Sequence, residues 1–151
     1  MSRKLFTIGY EKATSAAVLG ELARAKVKVL VDTRAVASSR RAGFSKSLLA
    51  ASLAEQGITY IHLRKLGTPA DGRAAARSGD VKTLWRIYNK HLQTPEATEA
   101  MEELVSLVGS TGPVCLLCYE REPDHCHRSR IAEILHERTG IVVENLVAPL
   151  F

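Results

Sequence analysis

No apolar run in this 151-residue chain approaches the length of a membrane span. The N-terminal stretch MSRKLFTIGY also lacks the apolar segment of a secretory signal. A soluble protein of the cytoplasm, without a membrane partner, is the expectation. Cysteine is scarce: three residues, an odd number, two of them close together, do not make the disulfide framework of a small secreted domain. Internal repeats, low-complexity tracts and a Pro/Gly/Ser-rich linker are all missing, which excludes a solenoid or a tethered array and leaves one domain over residues 1–151.

With 46% apolar and 25% charged residues, the chain has enough of each to bury a core without disulfides. Its net charge of +5 and pI near 9.3 favour anionic partners only mildly. The distribution is more informative. TRAVASSRRAGFSK holds Arg34, Arg40, Arg41 and Lys46 with no acid among them, a local positive site.

LFTIGY reads as a strand closed by Gly9, and VKVLVDTR, nearly continuous in apolar character, as a strand buried on both faces. ITYIHL, GPVCLLC and IVVENLV are the other strands. Between them, helical spacing predicts helices over Ser15–Ala25, Ser45–Gly57, residues 81–93, residues 95–109 with Pro95 in its first turn, and residues 128–140 closed by Gly140. Arg64–Asp80 has no clear period and reads as a mobile loop or a weakly helical insert. This alternation predicts an α/β fold, a single three-layer domain with a mostly parallel central sheet flanked by helices. Ligands of such sheets sit outside the carboxyl ends of the strands. The rim loops then begin at Gly9–Tyr10, Asp32–Arg34, His62–Leu66 and Cys118–Tyr119.

The densest chemistry lies in LLCYEREPDHCHRSR, Leu116–Arg130. Zinc accepts Cys and His, and Glu120 and His125 could complete a set with Cys118, Cys126 and His127. The spacing C-x7-C-H lacks the short knuckle that preorganises such sites, so no metal and no other cofactor is expected. A reactive thiol is a second reading, because a cysteine just before a helix and near arginines has a lowered pKa. Cys118 and Cys126 both qualify, whereas Cys115 reads as core. Glu120 could serve as general base and His127 could share in proton transfer. An anion cradle is the third reading: Arg128 in the first helical turn, facing Arg34, Arg40 and Arg41, with Ser39, Asp32 and Tyr10 completing the ligand-binding set. The bland counterpart is that these arginines pair with Asp32, Glu120, Glu122 and Asp124 and lock the loops. Tyr60, His62 and Tyr88 read as packing residues with satisfied polar tips.

FTIGY, LVDTRAVASSRRAGFSK, ITYIHLRKLG and LLCYEREPDHCHR, in that order, resemble domain of unknown function family 488, through its C-x-E…CHR and D-x-R…S-R…G-F elements. The resemblance covers nearly the whole chain and implies an α/β domain of about this size in bacterial cytoplasm, with no particular reaction. It places family motif positions at Gly9, Tyr10, Asp32, Arg34, Ser39, Arg40, Phe44, Leu66, Gly67, Cys118, Glu120, Cys126, His127 and Arg128. Ala37 stands where a proline is expected. A likeness to rhodaneses and cysteine phosphatases stops at architecture, since nine residues separate Cys118 from Arg128, too many for their compact loop. Three functions follow as expectations. The first is a thiol- or Glu/His-dependent enzyme binding an anion, a nucleotide or a nucleic-acid phosphate. The second is a non-catalytic nucleic-acid- or protein-binding module with an ion-paired core. The third is a redox sensor joining Cys118 to Cys126.

Overall fold

Residues 4–150 are described here from a computed structural model. Met1–Arg3 of the N-terminal stretch and Phe151 of the expected domain lie outside the described residues. The strands are β1 (Lys4–Gly9), β2 (Val29–Asp32), β3 (Thr59–His62), β4 (Val114–Cys118) and β5 (Val142–Leu146). The helices are α1 (Ser15–Arg24), α2 (Lys46–Glu55), α3 (Ala70–Arg77), α4 (Val81–His91), α5 (Pro95–Ser110) and α6 (His127–Thr139).

All five strands pair in parallel, in the order β3-β2-β4-β1-β5. β4 is central, between β2 and β1, and every residue of β2 and β4 is buried, as the apolar runs VLV and VCLLC require. Side chains alternate between two cores. Leu30, Cys115 and Leu117 face α1 and α2, which contribute Val18, Leu22, Leu49 and Leu53 at i,i+4 spacing. Val31, Val114 and Leu116 face α4, α5 and α6. Cys115 is thus core, as expected, and burial raises its thiol pKa well above the usual range.

The insert between Arg64 and Asp80 is ordered: a 3-10 turn at Arg64–Leu66 followed by α3. It is fastened from outside its own sequence. Tyr88 Oη donates to the Leu66 carbonyl at 2.6 Å, and a Cβ on Gly67 would collide with the backbone of Ala35. That close approach accounts for the glycine in RKLG.

Paired register brings Gly9, Asp32, His62 and Cys118 to one edge of the sheet. After β2 the chain turns to α2 on one face; after β4 it turns to α6 on the other. Adjacent strands whose connections diverge in this way open a crevice at their carboxyl ends.

Candidate functional site

A cavity of about 490 Å³ fills that crevice. Its walls come from the loop after β1, the Arg34–Ser38 loop, α3 with Thr68, and the segment from Tyr119 to His127. Of the four rim loops expected, the first, second and fourth line this cavity, and no residue from His62 to Leu66 does. The sequence-derived residues within it have sharply different roles.

Arg34 is held by Asp32. Nε donates to Asp32 Oδ1 at 2.9 Å and Nη2 to Oδ2 at 2.7 Å, a two-pronged ion pair with the carboxylate fully buried. The third donor, Nη1, reaches Tyr10 Oη at 3.1 Å, and the guanidinium carbon lies 5.3 Å from the centre of the Tyr10 ring. Burial alone would lower the Arg34 pKa, but the bonds to Asp32 and its charge outweigh burial and hold it above its usual value. Tyr60 Oη donates to Asp32 at 2.6 Å, while burial and then the Asp32 bond raise the Tyr60 pKa. His62 Nε2 meets the Arg34 carbonyl at 2.7 Å. These groups form the structural pairing, made within DTR itself.

The remaining loop arginines also diverge. Arg41 clamps the Ala13 carbonyl through Nε and Nη2, at 3.1 and 2.7 Å. Ser39 Oγ accepts the Arg41 amide at 3.1 Å, closing a turn that Ser45 fastens from the other side. Arg40 is exposed and does not line the cavity. Phe44 stacks on Tyr10 with ring centres 4.4 Å apart.

On the β4 side, Arg128 is fully buried in the first turn of α6. Nη1 donates to Cys118 Sγ at 2.8 Å and to the Glu120 carbonyl; Nη2 reaches the Arg121 carbonyl at 3.2 Å. No ion pair ties it to an acid among the described residues, and Nε has no partner. Burial pushes its pKa down to about 10, which still leaves a cation at neutral pH. Gly9 makes this packing possible, because a Cβ there would fall on the Glu120 carbonyl.

His127 Nε2 lies 2.8 Å from the Thr33 carbonyl and 3.0 Å from Thr33 Oγ1, whose own proton goes to the Leu117 carbonyl at 2.8 Å. That network assigns the proton to Nε2 and leaves Nδ1 as an acceptor, 3.7 Å from Cys126 Sγ. Burial pushes the His127 pKa down to about 4, so the ring is neutral at physiological pH. Cys118 and Cys126 are joined as a disulfide with Cα atoms 7.2 Å apart. Only Cys126 of the pair lines the cavity, at the N-cap of α6.

Two cavity cations escaped the sequence reading. Arg73 and Arg77 on α3 face the cavity; Arg73 Nη1 donates to the Thr68 carbonyl at 2.8 Å, and neither forms an ion pair among the described residues. Their i,i+4 spacing, which places both on one helical face, was the available signal. Tyr119, half-exposed, packs edge-on against Tyr10 with centres 5.4 Å apart and offers an aromatic wall.

Fold and site together define a parallel α/β domain with a cysteine pair and a buried guanidinium beneath a cavity at its topological switch point. The chain belongs to the family described as Domain of unknown function DUF488, whose profile matches residues 14–135. The matched range holds the DTR and CHR elements and begins after Gly9 and Tyr10. No curated protein and no solved structure matches the chain. Among the described residues no helix is long and apolar enough to cross a membrane.

Proposed function

We propose that the crevice is the active site of a thiol-dependent enzyme acting on a small anionic molecule. Carrying this reading is the position of Cys126, at the cavity wall, on a helix N-terminus, with a second cysteine within bonding reach. The helix N-terminus favours the thiolate over the thiol. Cys126 is the nucleophile, and Cys118, deeper and against Arg128, is its partner. Arg73 and Arg77 hold the substrate anion, a role that Arg34 and Arg41 leave to them through their own bonds. A cavity of about 490 Å³ suits a phosphate- or carboxylate-bearing small molecule better than a duplex. The non-catalytic reading draws on the buried Asp32–Arg34 pair, which makes part of the motif structural.

Alkylation separates the two. After reduction, Cys126 should react with iodoacetamide faster than free cysteine at neutral pH, and inorganic phosphate or a mononucleotide should slow the reaction. Arg73→Ala/Arg77→Ala should weaken that protection by roughly tenfold or more, since each bond to a charged group contributes about 1.5–3 kcal/mol. The same variant should keep the unprotected rate above that of free cysteine, because the helix N-terminus that favours the Cys126 thiolate is untouched. Uniformly slow labelling of the folded, reduced protein would sink the catalytic reading. Protection by an oligonucleotide that collapses with salt would instead extend the ligand to nucleic acid.

A further inference from the structure

We infer that, in the reduced protein, Cys118, Glu120 and Cys126 form a binding site for one divalent cation of the zinc class, with its fourth coordination position open to the cavity. The candidate ligand atoms, two sulfurs and a carboxylate oxygen, all lie within 4.8 Å of one another. Zinc bonds of about 2.3 Å to sulfur and about 2.1 Å to oxygen, at a tetrahedral angle, separate the two ligand atoms by roughly 3.6 Å. Cys118 Sγ and Glu120 Oε2 are 3.8 Å apart. The Cα atoms of the two cysteines, 7.2 Å apart, lie beyond the roughly 4.4–6.8 Å usual for a disulfide, so the backbone is already spaced for a longer reach.

Charge supports the same assignment. Two thiolates and a carboxylate carry three negative charges, and a divalent ion leaves one. The Arg128 guanidinium, already donating to Cys118 Sγ at 2.8 Å, balances it. A buried cation is tolerated only with such compensation, and donors to a ligating sulfur tune its metal. Glu120 and Cys126 border the cavity, so three protein ligands are combined with access from the crevice, the pattern of catalytic rather than structural zinc. His127 Nδ1 lies beside this triad and outside it. The long C-x7-C spacing is folded back by the 3-10 turn Pro123–His125, where the Cys126 amide donates to the Pro123 carbonyl at 3.1 Å.

Loading is an acid–base exchange. A thiol or phosphine reductant first delivers two electrons to the Cys118–Cys126 bond and leaves as its own disulfide or as the phosphine oxide, while water supplies the protons that the freed sulfurs take up. Any proton still on either sulfur then leaves to water, two metal–sulfur bonds form, and the carboxylate completes the set. The inference holds whether or not Cys126 is a nucleophile, so metal binding and alkylation of the metal-free protein report separately.

Cobalt(II) titration of the phosphine-reduced full chain is the test. One equivalent should produce a sulfur-to-cobalt charge-transfer band with d–d bands of tetrahedral intensity, zinc should displace them, and one proton should be released for each thiol still protonated before loading. Glu120→Gln should keep the fold by circular dichroism and weaken binding by at least the roughly 10- to 100-fold that losing a mere outer partner of a ligand costs. Cys118→Ser/Cys126→Ser should abolish the charge-transfer band. Absence of that band in the reduced wild-type protein, or equal affinity in Glu120→Gln, overturns the site. Fast alkylation without cobalt binding would remove the metal and leave the thiol enzyme standing; cobalt binding with inert metal-free thiols would do the reverse.

Discussion

Asp32→Ala should destabilise the folded protein by about 3–5 kcal/mol, the usual cost of breaking a buried ion pair from one side. For a chain of this size, that lowers Tm by roughly 10 °C or more. The Asp32 carboxylate accepts four bonds: from Arg34 Nε, Arg34 Nη2, the Arg34 amide and Tyr60 Oη. Alanine leaves a guanidinium that is only 6% exposed without its counter-charge, and strands a tyrosine hydroxyl. The cost therefore comes more from the groups left behind than from the attraction lost. It follows that Asp32→Leu/Arg34→Met, which replaces both charges with apolar groups, should recover at least about half of the loss. Urea unfolding of the wild type, Asp32→Leu, Arg34→Met and the double variant provides the cycle, with Asp32→Ala alongside. An Asp32 single variant within about 1 kcal/mol of wild type, or a double variant as unstable as the sum of its parts, would show that the buried pair does not hold the β2 end in place.

That pair also shows why the arginines were harder to place than the strands. VLV and VCLLC are apolar without interruption, and only a strand covered on both faces satisfies such a run, so the parallel α/β fold could be read directly. The rim followed from the fold. Side-chain destinations did not, because an arginine on a rim loop can turn outward to a ligand or inward to a partner two residues away. Arg34 turned inward because Asp32, the last residue of β2, is buried beneath it; Arg41 turned to a carbonyl on the β1 side. Within Arg64–Asp80, alanines and three glycines give no apolar stripe, so α3 could not be distinguished from a loop. Its order comes from Tyr88 and from the Gly67–Ala35 contact, both distant in sequence. The cysteines were half-legible. Cys115 followed from its place inside an unbroken apolar strand, while the meeting of Cys118 with Cys126 depends on a 3-10 turn that spacing rules do not anticipate.

The second large effect is expected at Gly9. This residue ends β1, which is hydrogen-bonded to β4 on one side and β5 on the other and cannot shift without breaking a ladder. A methyl group there would fall on the Glu120 carbonyl and approach Arg128 Nη1 to 3.0 Å. The side chain could yield; a backbone carbonyl fastened to its own loop cannot do so cheaply. Beside it, the Tyr10 and Glu11 amides donate to the Cys118 and Tyr119 carbonyls at 3.3 and 2.8 Å. Gly9→Ala should therefore cost about 3 kcal/mol or more, the upper end of overpacking penalties. It should also push the Tyr119–Arg121 segment outward, pulling Glu120 from the two sulfurs. Cobalt affinity and Cys126 alkylation should both change, even at temperatures where the variant remains folded. Gly20→Ala is the matched control: Gly20 sits on the exposed face of α1 with nothing within 4 Å of the added carbon, and alanine should stabilise by about 0.5–1 kcal/mol. If Gly9→Ala unfolded at the same urea concentration as wild type, the carbonyl contact would not be the reason for glycine at that strand end.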